Sequence, residues 1–178
     1  MLFENVVIKS VVSVDPPNAI SSEEVQERLE PTLRRLGVPG NPLIELAGIQ
    51  ERRYWDDGTQ PSDAATLAGR KALERADLDP KKVGILINTS VSRDFLEPST
   101  ACLVHNNLKL ADTCENFDVG NACLAFINGM NIAGRMLERG EIDYALIVNG
   151  ESSREINEST IRRLLEPSVT HKQFKGEF

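Results

Sequence analysis

A block of basic residues is missing from this chain: its 27 acidic and 20 basic side chains give a formal net charge of −7 and are spread along its length. Without a clustered positive surface there is no electrostatic footprint for a phosphate backbone, so nucleic acid is not an expected partner. Also missing is any apolar run approaching the roughly 20 residues that cross a bilayer. The opening residues, MLFENVVIKSVVSVDPP, hold a short apolar stretch broken by Lys9 and Ser10, with no positive leader ahead of it and no small-residue cleavage site behind it. A cytoplasmic protein without a membrane span is expected. Histidine is scarce, His105 and His171 being the only two, and the three cysteines, Cys102, Cys114 and Cys123, form no C-x-x-C pair. That odd, scattered set argues against a disulfide framework and against a structural zinc site.

What is present is ordinary globular material: 178 residues, 40% apolar and 26% charged, enough to bury one sizeable core. One compact unit is the default expectation. Residues 5–14 are rich in Val and Ile and stop at Asp15-Pro16-Pro17, which reads as a buried strand closed by a turn. Ser21-Ser22-Glu23-Glu24 then fits a capping box for a helix running to Arg35, with Gly37 beyond its end and Pro31 expected to kink or split it. Residues 41–61 read as a loop with several breakers. The spacing of Ala64, Ala65, Leu67, Ala68, Ala72 and Leu73 predicts a helix with a small-residue face over 62–76, capped by Ser62 or Asp63.

Two nearly continuous apolar runs, 83–89 and 144–148, have the character of strands covered on both faces. Between them the pattern predicts a helix over 99–108, a short strand at 116–119 and a long helix over 122–139 stopped by Gly140. That long helix is apolar almost all round, the mark of a buried one. A polar helix is expected from Arg154 to Leu165, after which the pattern weakens. Strands alternating with helices argue for an α/β layered fold, and the chain is expected to stop in mid-domain at Phe178.

One segment carries chemistry. In Phe117-Asp118-Val119-Gly120-Asn121-Ala122-Cys123-Leu124-Ala125-Phe126 a strand turns through small residues into a cysteine at the start of the long helix. Free N–H groups and the positive dipole end of a helix favour a thiolate and lower a thiol pKa. A thiolate so placed can attack a thioester carbonyl and hold the acyl group covalently. Position alone leaves a second reading open, since a buried cysteine also serves as a small hydrophobe.

The segment resembles the nucleophile motif of the thiolase superfamily, particularly its ketoacyl synthase III-like branch. Ser62-Asp63-Ala64-Ala65, Pro98-Ser99-Thr100-Ala101 and Arg139-Gly140-Glu141-Ile142-Asp143-Tyr144-Ala145-Leu146 extend the likeness over nearly the whole chain. The runs Ile87-Asn88-Thr89-Ser90-Val91-Ser92-Arg93-Asp94 and Leu96-Glu97-Pro98-Ser99-Thr100 look like the acyl-CoA head-to-head condensing enzymes of bacterial olefin biosynthesis. The resemblance implies a thiolase-like layered fold, a mixed sheet with covering helices, of which this chain is the N-terminal half. It implies a non-decarboxylative Claisen condensation of two fatty acyl-CoA molecules to a 2-alkyl-3-oxoalkanoate. Cys123 is then the acyl-accepting nucleophile, and Glu97 the base that removes a proton beside the second thioester, reaching across a homodimer into the partner's site. A carboxylate in an apolar pocket suits that task, because desolvation raises its basicity. On sequence position alone, Glu97 reads as a solvated loop carboxylate ahead of a helix.

The resemblance also implies CoA thioesters as substrates, no cofactor and no metal. Asn121 and Ala122 are expected to shape the turn, with the N–H of Cys123 a candidate for an oxyanion hole. Two departures stand out. The family's catalytic histidine and asparagine come from a second half that is absent here, and neither His105 nor His171 matches the histidine motif. Pro42 and Leu46 stand where many ketoacyl synthases III carry the tryptophan and arginine that grip the CoA adenine. A malonyl-ACP-dependent ketoacyl synthase III and a non-catalytic partner in a heterodimer with a homologue are the competing expectations.

Overall fold

In the computed structural model, which describes residues 3–40, 42–45 and 47–176, the chain runs β1 (Asn18–Ser21), α1 (Ser22–Leu36), α2 (Pro42–Glu45), β2 (Glu51–Tyr54), α3 (Pro61–Arg75), β3 (Ile85–Asn88), α4 (Thr100–Leu108), β4 (Glu115–Asp118), α5 (Ala125–Glu138), β5 (Ala145–Val148), α6 (Arg154–Leu164) and α7 (His171–Lys175). It divides into two compact units where composition suggested one. One unit joins the segment up to Val14 to Gly58–Ser152, and the other joins Asp15–Asp57 to the stretch from Ser153.

The first unit is built on a parallel sheet in the order β4-β3-β5. Every residue of β3 is buried, as its unbroken apolar run requires. From β3 the chain passes through α4 to β4 on one side, then through α5 back across β3 to β5 on the other. Right-handed crossovers in opposite directions place their helices on opposite faces of the sheet. Accordingly, Val104 and Leu108 of α4, with Ala65 and Leu73 of α3, pack on Leu86, Leu146 and Val148. Ile85 and Ile87, which alternate with Leu86, face the other way onto Ala133 of α5.

Two expectations for this unit are corrected. Residues 5–14 do not form a strand: they run without regular pairing, and Val7, Ile8 and Val11 are exposed. The segment is tied to α3 instead, through Ser10 Oγ donating to Ala72 O at 2.9 Å and Lys71 Nζ donating to Ser13 O at 2.7 Å. Gln60, rather than Ser62 or Asp63, occupies the cap of α3, and Asp63 accepts its N–H at 3.0 Å. Pro61 supplies a preset φ at the first helical position.

The second unit closes its own core from Val25, Leu29 and Leu33 of α1, Ile161 and Leu164 of α6, Val169, and Phe174 of α7. Ser21 caps α1 as expected, accepting the N–H of Glu24, and Gly37 ends it in the left-handed region at φ 64. Pro31 neither splits nor ends the helix. Pro31 and Glu27, whose carbonyl would have bonded residue 31, are both on the exposed face, so water can satisfy the freed oxygen. The loop expected over 41–61 contains α2 and also β2, which pairs antiparallel with β1 from Asn18↔Tyr54 to Ser21↔Glu51. Arg28 and Glu158 form a two-pronged ion pair at 2.8 and 2.5 Å.

Candidate active site

The chemistry-bearing residues lie beyond the C-terminal ends of β3 and β4. These adjacent strands send their following helices to opposite faces of the sheet. The turn after β4 delivers Cys123. Asn121 sits at φ −151, ψ 44, and Ala122 at φ 45 is one of few non-glycine residues in the left-handed region. That conformation costs an L-residue roughly 1 to 3 kcal/mol and persists only where its surroundings enforce it. Here the chain must pass from strand to helix with almost no linker. A short 3-10 turn, Ala122–Leu124, leads directly into α5, leaving Cys123 exposed at the helix's start. Asn121 Nδ2 donates to Asn128 Oδ1 at 2.7 Å, pinning the turn to the helix. Both flanking residues thus shape the turn, as expected.

Past β3 the chain forms the loop that carries Glu97. Polar residues anchor its root: Ser90 Oγ donates to Asn88 Oδ1 at 2.7 Å and accepts Gly150 N–H at 2.8 Å, while Asn149 Nδ2 donates to Thr89 O at 3.0 Å. Only glycine fits at position 150, where a Cβ would fall 2.2 Å from the Pro61 carbonyl oxygen. Asp118 fastens the far side. Its carboxylate accepts Asn88 Nδ2 at 3.1 Å and the N–H groups of Thr100 and Ala101, at the start of α4, at 2.9 and 2.8 Å. A carboxylate is well placed at a helix N-terminus, where free N–H groups point at it. Ser99 caps the same helix by accepting Cys102 N–H.

Glu97 itself is exposed, between an exposed Leu96 and Pro98. The desolvating pocket expected around it is not formed by the described residues of its own chain. Phe95 and Leu96 beside it, and Leu124 and Ile127 beside Cys123, are also exposed. This corrects the picture of α5 as buried all round: Ala125, Gly129, Ala133 and Gly134 are buried, and the opposite face is open.

The remaining candidates separate cleanly. Cys102 is exposed on α4, whereas Cys114, expected in a polar connection, is 4% exposed in the core. Burial pushes its thiol pKa up, partly offset by a hydrogen bond to the Leu86 backbone. His105 Nε2 lies 3.0 Å from Ala111 O and helps close the end of α4, and His171 opens α7. Of the two positions that depart from the CoA grip, Pro42 opens α2 and Leu46 lies outside the described residues. No helix among the described residues is long and apolar enough to cross a membrane. Sequence reasoning missed the carboxylates Asp94, Asp118 and Glu151. Only Asp118 left a trace, in the polar Asn88 that closes an otherwise apolar strand and bonds it.

Comparison with known proteins gives this geometry relatives. Residues 117–164 match the family model described as 3-oxoacyl-[acyl-carrier-protein (ACP)] synthase III. The chain is 55% identical over 177 residues to the acyl-CoA:acyl-CoA alkyltransferase of Xanthomonas campestris pv. campestris, covering 99% of this chain and 52% of that protein. It is 34% identical over 165 residues to the Shewanella oneidensis protein of the same name, covering 93% of this chain and 47% of that one. The crystal structure of a cysteine-to-serine variant of Xanthomonas campestris OleA with bound lauric acid and lauroyl-CoA superposes with a TM-score of 0.95, at 55% identity, over 98% of this chain and 52% of that one. Other structures of that protein carry substitutions of a glutamate. The thiolase-like α/β fold read from the sequence is borne out, and the chain spans about half the length of the curated relatives it matches.

Proposed function

We propose that this chain is the nucleophile-bearing half of an acyl-CoA condensing enzyme of the ketoacyl synthase III-like branch of the thiolase superfamily. In this reading it joins two fatty acyl-CoA molecules head to head without loss of carbon dioxide. The observation that carries the reading is the turn after β4, which leaves Cys123 exposed at the mouth of α5 in a chain 55% identical to an acyl-CoA:acyl-CoA alkyltransferase. The spacing of the site supports it as well: Glu97 and Cys123 lie 26 positions apart, and so do the glutamate and the cysteine substituted in the Xanthomonas structures.

The steps follow from the residues. Cys123 Sγ, exposed at the start of α5, attacks the carbonyl of the first acyl-CoA as the thiolate. CoA leaves as its thiolate, which takes up the proton that the Cys123 thiol gave up, and the acyl group remains on Cys123. Glu97 of the neighbouring subunit takes a proton from the carbon beside the second thioester carbonyl. The carbanion attacks the acyl group on Cys123, a carbon–carbon bond forms, and the C–S bond breaks to return the thiolate. Hydrolysis of the remaining CoA thioester yields the 2-alkyl-3-oxoalkanoate. The exposure of Glu97 and of Phe95 and Leu96 beside it suits a base that is desolvated only by another subunit. The scheme uses CoA thioesters as substrates and no further cofactor, in a cytoplasmic homodimer, and it draws its enolate-stabilising groups from outside this chain.

The test uses the protein expressed in its complete reading frame. Incubated with acyl-CoA, it should gain one acyl group on Cys123 by mass spectrometry. Cys123→Ser should gain none, and an undiminished adduct in that variant sinks the assignment. Glu97→Ala should acylate normally and fail to condense. The match of residues 117–164 to ketoacyl synthase III favours a second reading, in which malonyl-ACP supplies the carbanion by decarboxylation. In that case Glu97→Ala condenses with malonyl-ACP at the parental rate.

A further inference from the structure

Two carboxylates that the condensation scheme does not use bind the loop that presents Glu97. Between β3 and α4 residues 91–98 have neither helix nor ladder to hold them. Glu151, just past β5, grips the near end. Its Oε1 accepts Val91 N–H at 2.7 Å, and its Oε2 accepts the N–H and hydroxyl of Ser92 at 3.0 and 2.6 Å. Asp94 grips the middle, accepting Ser62 N–H at 2.9 Å and the Ser62 hydroxyl. Ser62 is 4% exposed in the first turn of α3, so Asp94 is fastened to a fixed point of the core. Glu97 follows three residues later.

Hydrogen bonds to a carboxylate are roughly twice as strong as neutral ones, and these two groups supply most of the polar bonds described for residues 91–94. A base must stand within hydrogen-bond reach of the proton it removes, and a misplacement of about 1 Å can cost on the order of a hundredfold in rate. A loop free to sample other conformations would hold Glu97 in reach only part of the time.

We propose that Glu151 and Asp94 are positioning residues, which act on the condensation step through Glu97 by holding residues 91–98 in one conformation and do not touch substrate. The inference rests on the reading of Glu97 as the base. It goes beyond that reading by dividing the loop into a group that does chemistry and two that aim it.

The experiment compares Glu151→Ala, Glu151→Gln, Asp94→Ala and Glu97→Ala in the protein expressed in its complete reading frame. Three quantities are read: amide exchange of Val91 and Ser92, the rate of Cys123 acylation by acyl-CoA, and kcat and KM for condensation. In Glu151→Ala the two amides should exchange at least about tenfold faster. Acylation should stay within about twofold, and condensation kcat should fall roughly tenfold to a hundredfold with little change in KM. Glu151→Gln retains an acceptor oxygen and should recover part of the loss. Asp94→Ala should show the same split between half-reactions. Unchanged exchange overturns the proposal, as does faster exchange with undiminished condensation. Acylation and condensation falling in parallel also overturns it, because that pattern marks a merely structural role. Failure of the underlying reading looks different: Glu97→Ala itself then condenses at the parental rate, which leaves the two carboxylates nothing to aim.

Discussion

The two faces of the parallel sheet are made of similar residues and finished differently. On the face of α3 and α4, Leu86, Leu146 and Val148 meet Leu73, Val104, Leu108, Leu110 and Cys114, and every one of these is buried. On the face of α5, Ile85 and Ile87 are as deeply buried as Leu86, yet the helix that covers them is itself open on its far side. Ile127 is 53% and Leu124 61% exposed there. Gly129 shows how closely α5 approaches: a Cβ at that position would stand 3.2 Å from Thr89 Cγ2 and 3.3 Å from Ile87 Cγ2. Small residues thus seat α5 tightly on the sheet, with Ile132 and Met136 packed beside them, and leave Leu124, Phe126 and Ile127 facing outward at the end next to Cys123. The closed face stores stability, and the open face carries the candidate chemistry.

The largest test of that division is on the closed face. Leu86 is 0% exposed between two helices, so Leu86→Ala removes buried methyl groups and leaves a cavity its neighbours cannot fill. A loss of about 3 to 4 kcal/mol in unfolding free energy is expected by urea titration. A loss below about 1 kcal/mol would mean that this face is not the packed one.

Cys114 offers a smaller effect and a chemical readout. Its thiol is pushed above the ordinary range by burial, whereas Cys102 and Cys123 are exposed. At mildly alkaline pH an alkylating reagent should modify Cys102 and Cys123 while modifying Cys114 at least about a hundredfold more slowly, at the rate of opening of the closed face. The same shift has a sign in stability. Because the folded-state pKa is raised, this contribution is fully present below the unfolded thiol value of about 8.5. It is lost as pH rises from there through the folded value, since only the unfolded chain ionises freely. Equal labelling of all three cysteines, checked by peptide mass spectrometry, would break the comparison.

The difference between the faces also explains what could be read in advance. The strands at β3 and β5 were legible because burial on both faces demands unbroken apolar runs, and α3, α4 and α5 were legible from periodicity, although the cap of α3 lies at Gln60 rather than at Ser62 or Asp63. The open side of α5 was not, because an apolar residue that waits for a partner and one already in the core look alike in sequence. Residues 5–14 failed for a related reason. Val and Ile mark a surface fit to be half-buried rather than a particular ladder, and here the segment is fastened to α3 by Ser10 and by the Lys71 bond to the Ser13 carbonyl. The pairing of β1 with β2 was hidden in polar residues such as Glu51, Arg52 and Arg53, joined across a long separation. In the site, Cys123 was visible through its turn into a helix, and Glu97 only through resemblance. Glu151 and Asp94 left no local signal, because their partners lie far away in the chain.

The smallest predicted effect bears hardest on the open face. Ile127 keeps about half its surface in solvent, and full burial of such a side chain is worth roughly 1.5 to 3 kcal/mol. The half it does bury therefore contributes about 1 kcal/mol, and glutamine recovers a few tenths through its better helix propensity. Ile127→Gln should accordingly cost this chain about 1 kcal/mol or less in the same urea titration. A cost rivalling that of Leu86→Ala would show that the chain's own residues already cover this face in solution. A small cost would instead leave the apolar side of α5, with Leu124 and Ile127 next to Cys123, as surface that contributes little to folding and remains available for the proposed acyl chemistry.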